Sequence, residues 1–185
     1  MFGPSVTRGF RVAPRSTLDI RKHAVHVRQV LGLKPDVGFF PMAEFIESWF
    51  DWGIGYDVVE PGELPVGVEA CCVPEKGLIM LTLQTYESAC YDNPRARFTV
   101  VHELGHLALA HTRAFHRERP DTSEIRAFED SEWQANTFAA EFLMPVADIQ
   151  RRRLRGVFEM MEQYGVSEPA AAKRIRDLTK QGLIR

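Results

Sequence analysis

The segment from Phe98 to Ala110, FTVVHELGHLALA, constrains the fold most, because apart from four polar residues it is entirely apolar. A helix that is apolar on every side is normally buried in a globular protein. Successive residues of an α-helix advance by about 100°, so the polar side chains of this segment share one arc: Thr99, His102, Glu103 and His106. Burying two imidazoles and a carboxylate without partners is costly in free energy. The segment therefore predicts a buried helix whose polar arc meets a partner, and a metal ion would serve.

The spacing of these polar residues is that of the zincin motif H-E-x-x-H. His102 and His106 lie one helical turn apart, so their imidazoles can reach one cation, while Glu103 lies to one side and is placed to take a proton from water. The competing interpretation is a pair of core histidines with a glutamate at the helix edge, since buried histidines are common. We favour the motif, because a metal ion gives the buried polar groups the partner they need.

A catalytic zinc ion usually has three protein ligands and a water molecule, so the two histidines need a further partner. The metzincin pattern would supply a third histidine, but this sequence has Leu109 and Thr112 where that pattern requires glycine and histidine. If the helix continues as far as His111, that side chain lies about 180° from His102 and points away from it. The third ligand is therefore expected from another part of the chain.

A carboxylate from the following helix is the remaining source of a third ligand. Glu132 is the first candidate, because Asn136 lies one turn further on the same face and could orient a ligand histidine. Glu129, one turn earlier, is the main alternative, and Asp130 faces another direction.

The remaining pattern predicts an α+β protein. Two helices come first: one from Ser16 or Thr17 to Gly32, and one from Pro41 to Gly53 with Phe45, Ile46, Trp49 and Phe50 on one face. Three short β-rich runs between residues 54 and 84 predict a small antiparallel sheet of about three strands packed on the active-site helix. A connection over residues 86–93 leads to the central helix, which is predicted to begin at Asn93 with Pro94 at its first position. Further helices are predicted from Glu124 or Phe128 to Met144, over residues 148–164 with a break near Gly156, and over residues 167–181. The polar segment between residues 112 and 123 is predicted to be a loop.

The length of 185 residues suits a single domain. We expect an irregular N-terminal arm over residues 1–16 and one domain over residues 17–185, of which residues 146–185 form a helical C-terminal extension. No apolar run approaches the roughly 18 residues of a membrane span, and the N-terminus lacks the apolar core of a signal peptide, so the expected location is cytoplasmic and no membrane partner is expected. The three cysteines indicate neither a disulfide framework nor a structural zinc site.

The charges are segregated, with basic ends and an acidic middle. A contact with nucleic acid is one explanation, but packing of the termini on the body of the protein explains the pattern as well, and we favour it. Four arginines form a basic patch, Arg151, Arg152, Arg153 and Arg155. A solvated helix face is the favoured interpretation, because no aromatic residues are interleaved for base stacking.

Two sequence blocks together resemble the ImmA/IrrE family of bacterial and phage metallopeptidases. They are RFTVVHELGHLALAH at residues 97–111 and EWQANTFAAEFLMP at residues 132–145. The resemblance extends more loosely over most of residues 17–184. It implies a minimal gluzincin-like fold, a Zn²⁺ ion held by His102, His106 and Glu132, and Glu103 as the general base. Characterised relatives act on helix-turn-helix transcriptional repressors and so induce mobile elements or stress responses, and other members lie beside antitoxin-like partners.

The resemblance thus predicts a zinc-dependent endopeptidase, and two other functions stay open. One is a DNA-binding regulator, because the segment from Val166 to Leu178 resembles the second helix of a helix-turn-helix. The other is a toxin-like protein that shares the metal site. A peptidase also needs a donor for the developing oxyanion, and the candidates by chemistry are His116, Tyr86, Tyr91 and Tyr164.

Overall fold

A computed structural model describes residues 9–34, 36–60, 62–111 and 125–185. Within these ranges the chain has eight α-helices and one three-stranded sheet, so the expected α+β class is confirmed. The helices are α1 (Thr17–Val30), α2 (Met42–Glu47), α3 (Leu83–Cys90), α4 (Pro94–Ala108), α5 (Ser131–Leu143), α6 (Val146–Arg152), α7 (Val157–Tyr164) and α8 (Glu168–Lys180). The strands are β1 (Gly55–Val59), β2 (Ala70–Val73) and β3 (Leu78–Thr82).

The sheet is mixed, with the strand order β1-β3-β2. Strands β2 and β3 form an antiparallel hairpin around the 3-10 helix Pro74–Lys76, whereas β1 and β3 are parallel. The expected antiparallel meander was therefore wrong for β1. After Val59 the chain continues to the far edge of the sheet before it forms β2. Strand β3 then returns between the other two and runs in the direction of β1.

Helix α4 lies at the centre of the described fold. It packs against α5 and against strands β2 and β3, while α1 also packs against α5. The residues at these contacts are fully buried or nearly so, among them Ile20, Val100, Leu104, Phe138 and Phe142. Full burial of each such side chain stabilises the fold by roughly 1.5–3 kcal/mol. The central helix and α5 are thus fixed to each other by the core.

The first two helices follow the sequence pattern, with one exception. Ser16 caps α1 through a capping box with Asp19, as a serine at that position predicts. Helix α2 gives way to a 3-10 helix at Ser48–Trp52, in which residues advance by a larger angle than in an α-helix. Phe50 is therefore rotated into solvent and is 63% exposed, although the sequence pattern predicted it on the buried face.

Helix α3 was not predicted, because residues 86–93 were interpreted as a connection. It begins directly after β3, with Thr82 as its N-cap, and buries only Thr85 and Ala89. So short a helix with two small buried residues has a weak periodic pattern. Helix α4 then begins at Asn93 and Pro94, as predicted, and the Asn93 side chain accepts hydrogen bonds from two backbone N–H groups of its first turn.

Residues 9–16 run beside the segment that leads into α5. The backbone N–H of Val12 donates to Glu129 O at 2.8 Å, and the N–H of Arg15 donates to Phe128 O at 2.9 Å. Ser131 N–H donates in turn to Phe10 O at 3.1 Å. This part of the N-terminal arm is therefore held against the start of α5. The predicted loop over residues 112–123 and residues 1–8 lie outside the described residues.

Helices α6 to α8 close the fold beyond α5. Glu141 on α5 is fully buried and accepts hydrogen bonds from Arg174 on α8 and from Arg21 on α1, at 2.7–3.0 Å. Asp148 is equally buried and accepts a hydrogen bond from Tyr164 at 3.0 Å. In the described part of the chain, no helix is long and apolar enough to cross a membrane.

Candidate metal centre

The close approach of α4 and α5 forms the site. Gly105 lies where the two helices meet, and a Cβ atom there would be 3.0 Å from Phe138 Cδ1 and 3.3 Å from Ala135 O. Contacts between carbon atoms are normally about 3.5–4.0 Å long, so a Cβ at this position would require its neighbours on α5 to shift. The approach brings the first turn of α5, which carries Glu132, next to His102 and His106.

Three donor atoms converge at this point. His102 Nε2 lies 3.0 Å from His106 Nε2 and 3.3 Å from Glu132 Oε2. His106 Nε2 lies 3.4 Å from Glu132 Oε1. Tetrahedral zinc sites have metal–donor distances of about 2.0–2.2 Å, which place donor atoms roughly 3.3–3.6 Å apart. The two distances to Glu132 lie in this range and the distance between the imidazole nitrogens is slightly shorter, so the donor set fits a tetrahedral divalent metal ion after a small separation of the two rings.

Asn136 fixes the orientation of the His102 ring. The two side chains are one hydrogen bond apart, with Nδ1 of His102 3.2 Å from Oδ1 of Asn136. The amide oxygen can only accept, so the ring carries its proton on Nδ1 and leaves Nε2 free to bind a cation. When the His102 ring is protonated on both nitrogens, Nε2 can donate to Glu132: burial alone would lower the pKa of His102, but this hydrogen bond and the nearby carboxylates raise it. In the same protonated state of the two rings, hydrogen bonds from His102 and His106 hold the pKa of Glu132 well below its ordinary value.

Glu103 lies beside the three donor atoms without joining them. Its carboxylate is nearly buried and is hydrogen-bonded by the backbone of Cys72 in β2. Burial raises the pKa of Glu103, while the two histidines and the Cys72 hydrogen bond act against that rise. The side chain faces the same groove as the donor atoms, which has a volume of about 920 Å³ and is walled by the edge strand β2. Glu103 is therefore placed to exchange a proton with a molecule in the groove.

His111 also belongs to the site, contrary to the sequence prediction that it points away. Helix α4 ends at Ala108, and Ala110 adopts a left-handed conformation with φ of 53°. The turn brings His111 Nδ1 to 3.0 Å from His106 Nδ1 and His111 Nε2 to 3.0 Å from Gln134 Oε1. Burial lowers the pKa of His111 to about 4, although its hydrogen bond with Gln134 acts in the opposite direction. The imidazole is therefore neutral near pH 7.

Sequence reasoning missed His111 and Gln134 because nothing in the sequence marks the end of α4. A left-handed residue at a helix C-terminus is usually glycine, and here it is alanine. Without that signal the helix was extended by one turn, which put His111 on the wrong side.

Other candidate residues lie away from the donor atoms. Glu129 is in the 3-10 helix Ala127–Glu129 and pairs with Arg11 at 3.9 Å, and Asp130 caps α5 by accepting from Glu132 N–H. The three candidate tyrosines are absent from the described lining of the groove: Tyr164 is buried against Asp148, Tyr86 stacks on Tyr56, and Tyr91 is 88% exposed. His116 lies outside the described residues.

The comparisons with known proteins agree with this geometry. Residues 86–176, which include both sequence blocks and all three donor residues, match the Peptidase_M78 family, described as the IrrE N-terminal-like domain. This segment, about half of the chain, belongs to the ImmA/IrrE family. Membership of this family supports a metallopeptidase-type function, and the His102, His106 and Glu132 cluster fits its need for a metal cofactor.

The fold also resembles that of a solved structure. The chain is similar to a "Mycobacterium tuberculosis transcriptional regulator", with a TM-score of 0.57 and 16% sequence identity. The likeness covers 85% of this chain and 46% of that protein, so the chain spans less than half the length of that structure. At this identity the likeness shows a common fold alone. No curated protein sequence matches the chain.

Proposed function

We propose that the protein is a zinc-dependent endopeptidase in which His102, His106 and Glu132 hold the metal ion and Glu103 is the general base. The observation that carries the proposal is the convergence of two imidazole nitrogens and the Glu132 carboxylate, at 3.0–3.4 Å from one another, beside the Glu103 carboxylate in an open groove. Two imidazoles and one carboxylate are the protein ligands of thermolysin-like zinc sites. A purely structural zinc site would have four protein ligands and no need for Glu103.

Each residue then has a defined part in peptide hydrolysis. Zinc, when bound, supplies Lewis acidity to a water molecule and to the scissile carbonyl. Glu103 takes a proton from the attacking water and gives it to the leaving amine. Its partly buried position and the Cys72 hydrogen bond hold the carboxylate in one orientation toward the groove. Asn136 keeps Nε2 of His102 turned toward the metal.

The shape of the groove supports a peptide as the substrate. Strand β2 is an edge strand, and it lines the groove beside the donor atoms. An extended peptide can pair with such an edge through backbone hydrogen bonds, with side chains held in neighbouring pockets. Phe10 and Phe98 offer apolar contacts, while Glu69 and Arg95 form an ion pair of 2.6 Å on the groove wall.

The proposed substrate is a helix-turn-helix transcriptional repressor in the cytoplasm, as the family resemblance implies. Cleavage would release genes of a stress response or of a phage or other mobile element. A role in transcriptional control agrees with the description of the structural neighbour as a transcriptional regulator. The genomic neighbour is the first candidate to test, in particular a small helix-turn-helix protein.

The variant Glu103→Gln tests this function, because it keeps the size and hydrogen bonding of the side chain but removes the base. Loss of a general base lowers rates by about 10²–10⁴-fold. Wild-type protein and variant are loaded with zinc and incubated with the candidate repressor, and fragments are read by mass spectrometry alongside a binding measurement. We expect cleavage by the wild type alone, with equal repressor binding and zinc content for both.

The opposite outcome would favour a regulator or toxin-like protein. If the wild type binds the repressor tightly but never cuts it, and Glu103→Gln restores the cellular response equally well, the peptidase function is refuted.

The alternative of direct DNA binding has weaker support from the contacts. Helices α7 and α8 do follow each other across a short turn, but Arg174 of α8 is buried against Glu141. In the basic patch, Arg151 and Arg152 both pair with Asp148.

A further inference from the structure

A buried row of polar side chains connects the metal centre to the N-terminal arm. It runs from His106 through His111 to Gln134, and all three side chains are at least nine-tenths buried. Gln134 ends the row by donating to Ala13 O at 2.9 Å and to Phe128 O at 2.8 Å. The metal ligand is thus connected to two backbone carbonyls outside α4.

The two carbonyls decide which way the Gln134 amide faces. A carbonyl oxygen can only accept, so the amide group between Ala13 O and Phe128 O must be the NH₂ group, whose two protons serve both acceptors. The reversed orientation would set the amide oxygen against two other oxygens. Oε1 of Gln134 therefore faces His111 and must accept its hydrogen bond.

This orientation decides the proton positions on both rings. A neutral imidazole has one donor and one acceptor nitrogen, so His111 donates from Nε2 to Gln134 and accepts at Nδ1. His106 then donates from its own Nδ1 to His111 and leaves Nε2 as a lone-pair donor. That nitrogen is the one that faces His102 Nε2 and Glu132 Oε1.

We propose that His111 and Gln134 form a positioning relay, by which the N-terminal arm and the start of α5 fix the ring orientation and tautomer of the ligand His106. The inference rests on the proposed function, because the relay acts on a ligand of the proposed metal. Neither side chain belongs to the cluster of residues that would hold the metal. Their effect is to hold Nε2 of His106 ready to bind, as Asn136 does for His102.

The test measures zinc affinity by competition with a chelator, using the full chain. His111→Leu removes both hydrogen bonds, and Gln134→Leu removes the end of the relay. We expect each to weaken zinc binding by about 10- to 100-fold, the range for groups that orient a metal ligand. His111→Asn places an oxygen where Nδ1 stood, so it can still accept from His106 and should lose much less affinity than His111→Leu. Thr137→Val is the control, because Thr137 is on the same helix and its hydroxyl donates to Trp133 O rather than to a residue of the relay.

A merely structural role would give a different pattern. It would lower the stability of the metal-free protein for His111→Leu and His111→Asn alike, without separating their zinc affinities. Equal zinc affinity of wild type and His111→Leu would overturn the relay while leaving the proposed function intact. A wild-type protein that takes up no zinc would overturn both.

Discussion

The contact between α4 and α5 predicts that Gly105→Ala damages the metal centre. The added Cβ would lie 3.0 Å from Phe138 Cδ1 and 3.3 Å from Ala135 O, so these parts of α5 must give by a few tenths of an ångström. Glu132 is on the same helix and would move with it, whereas metal sites tolerate roughly ±0.2 Å in donor distance. We expect zinc affinity to fall on the order of 10- to 100-fold, as it does when a supporting group is lost.

The same substitution has two opposing effects on stability. Alanine favours a helix over glycine by about 1 kcal/mol, and overpacking of a core costs about 1–3 kcal/mol. The free energy of unfolding of the metal-free protein should therefore fall by roughly 0–2 kcal/mol. Chelator competition measures the zinc affinity, and denaturant unfolding measures the free energy of unfolding of the metal-free protein.

A rescue experiment distinguishes a local clash between the new Cβ and Phe138 from a general loss of fold. Adding Phe138→Leu removes the ring edge that the new Cβ would meet, so the double variant should recover part of the zinc affinity. The reasoning is refuted if Gly105→Ala binds zinc as tightly as the wild type and its metal-free form is about 1 kcal/mol more stable, because that result reports helix propensity alone.

Three further predictions concern single contacts. Ala110→Gly relieves the left-handed conformation of Ala110. It should increase the free energy of unfolding by an amount on the order of 1 kcal/mol, seen as a higher melting temperature, and leave the zinc affinity unchanged. A loss of stability would show that no strain is stored there. Glu132→Ala should weaken zinc binding far more than Glu129→Ala, measured by the same competition, and comparable losses would reverse the ligand assignment. Burial alone would raise the pKa of Glu141, but Arg174 and Arg21 hold it below the ordinary 4.5, so its contribution to stability is present above that pH and is lost as pH falls further. Arg174→Met should therefore lower unfolding free energy at pH 7 by about 3–5 kcal/mol and by less at pH 3, and an equal loss at both values would contradict the assignment.

Much of the fold was predictable because local patterns and tertiary packing agree. The polar arc of α4 is visible in the sequence, and so are the caps Ser16 and Asn93, since each depends on residues close together in the chain. The parallel pairing of β1 and β3 was not predictable from strand patterns. It depends on where the chain crosses the sheet after Val59, and no residue in the strands reports that path.

The residues of the metal centre show the same difference between local patterns and tertiary packing. His102, Glu103 and His106 are local to one helix, so their spacing alone places them on one arc. The position of Glu132 depends on how closely α5 approaches, and the sequence left Glu129 open as an alternative. His111 was placed wrongly because Ala110 takes a conformation that usually requires glycine.

The most direct test of the metal centre is X-ray absorption at the zinc edge of the zinc-loaded protein. The account predicts about one zinc per chain, with only nitrogen and oxygen donors at about 2.0–2.2 Å and scattering from two imidazole rings. Cys71 and Cys72 line the same groove, so zinc bound by either cysteine would show a zinc–sulfur distance of about 2.3 Å. A sulfur shell, or no zinc uptake at all, would contradict the assignment of His102, His106 and Glu132.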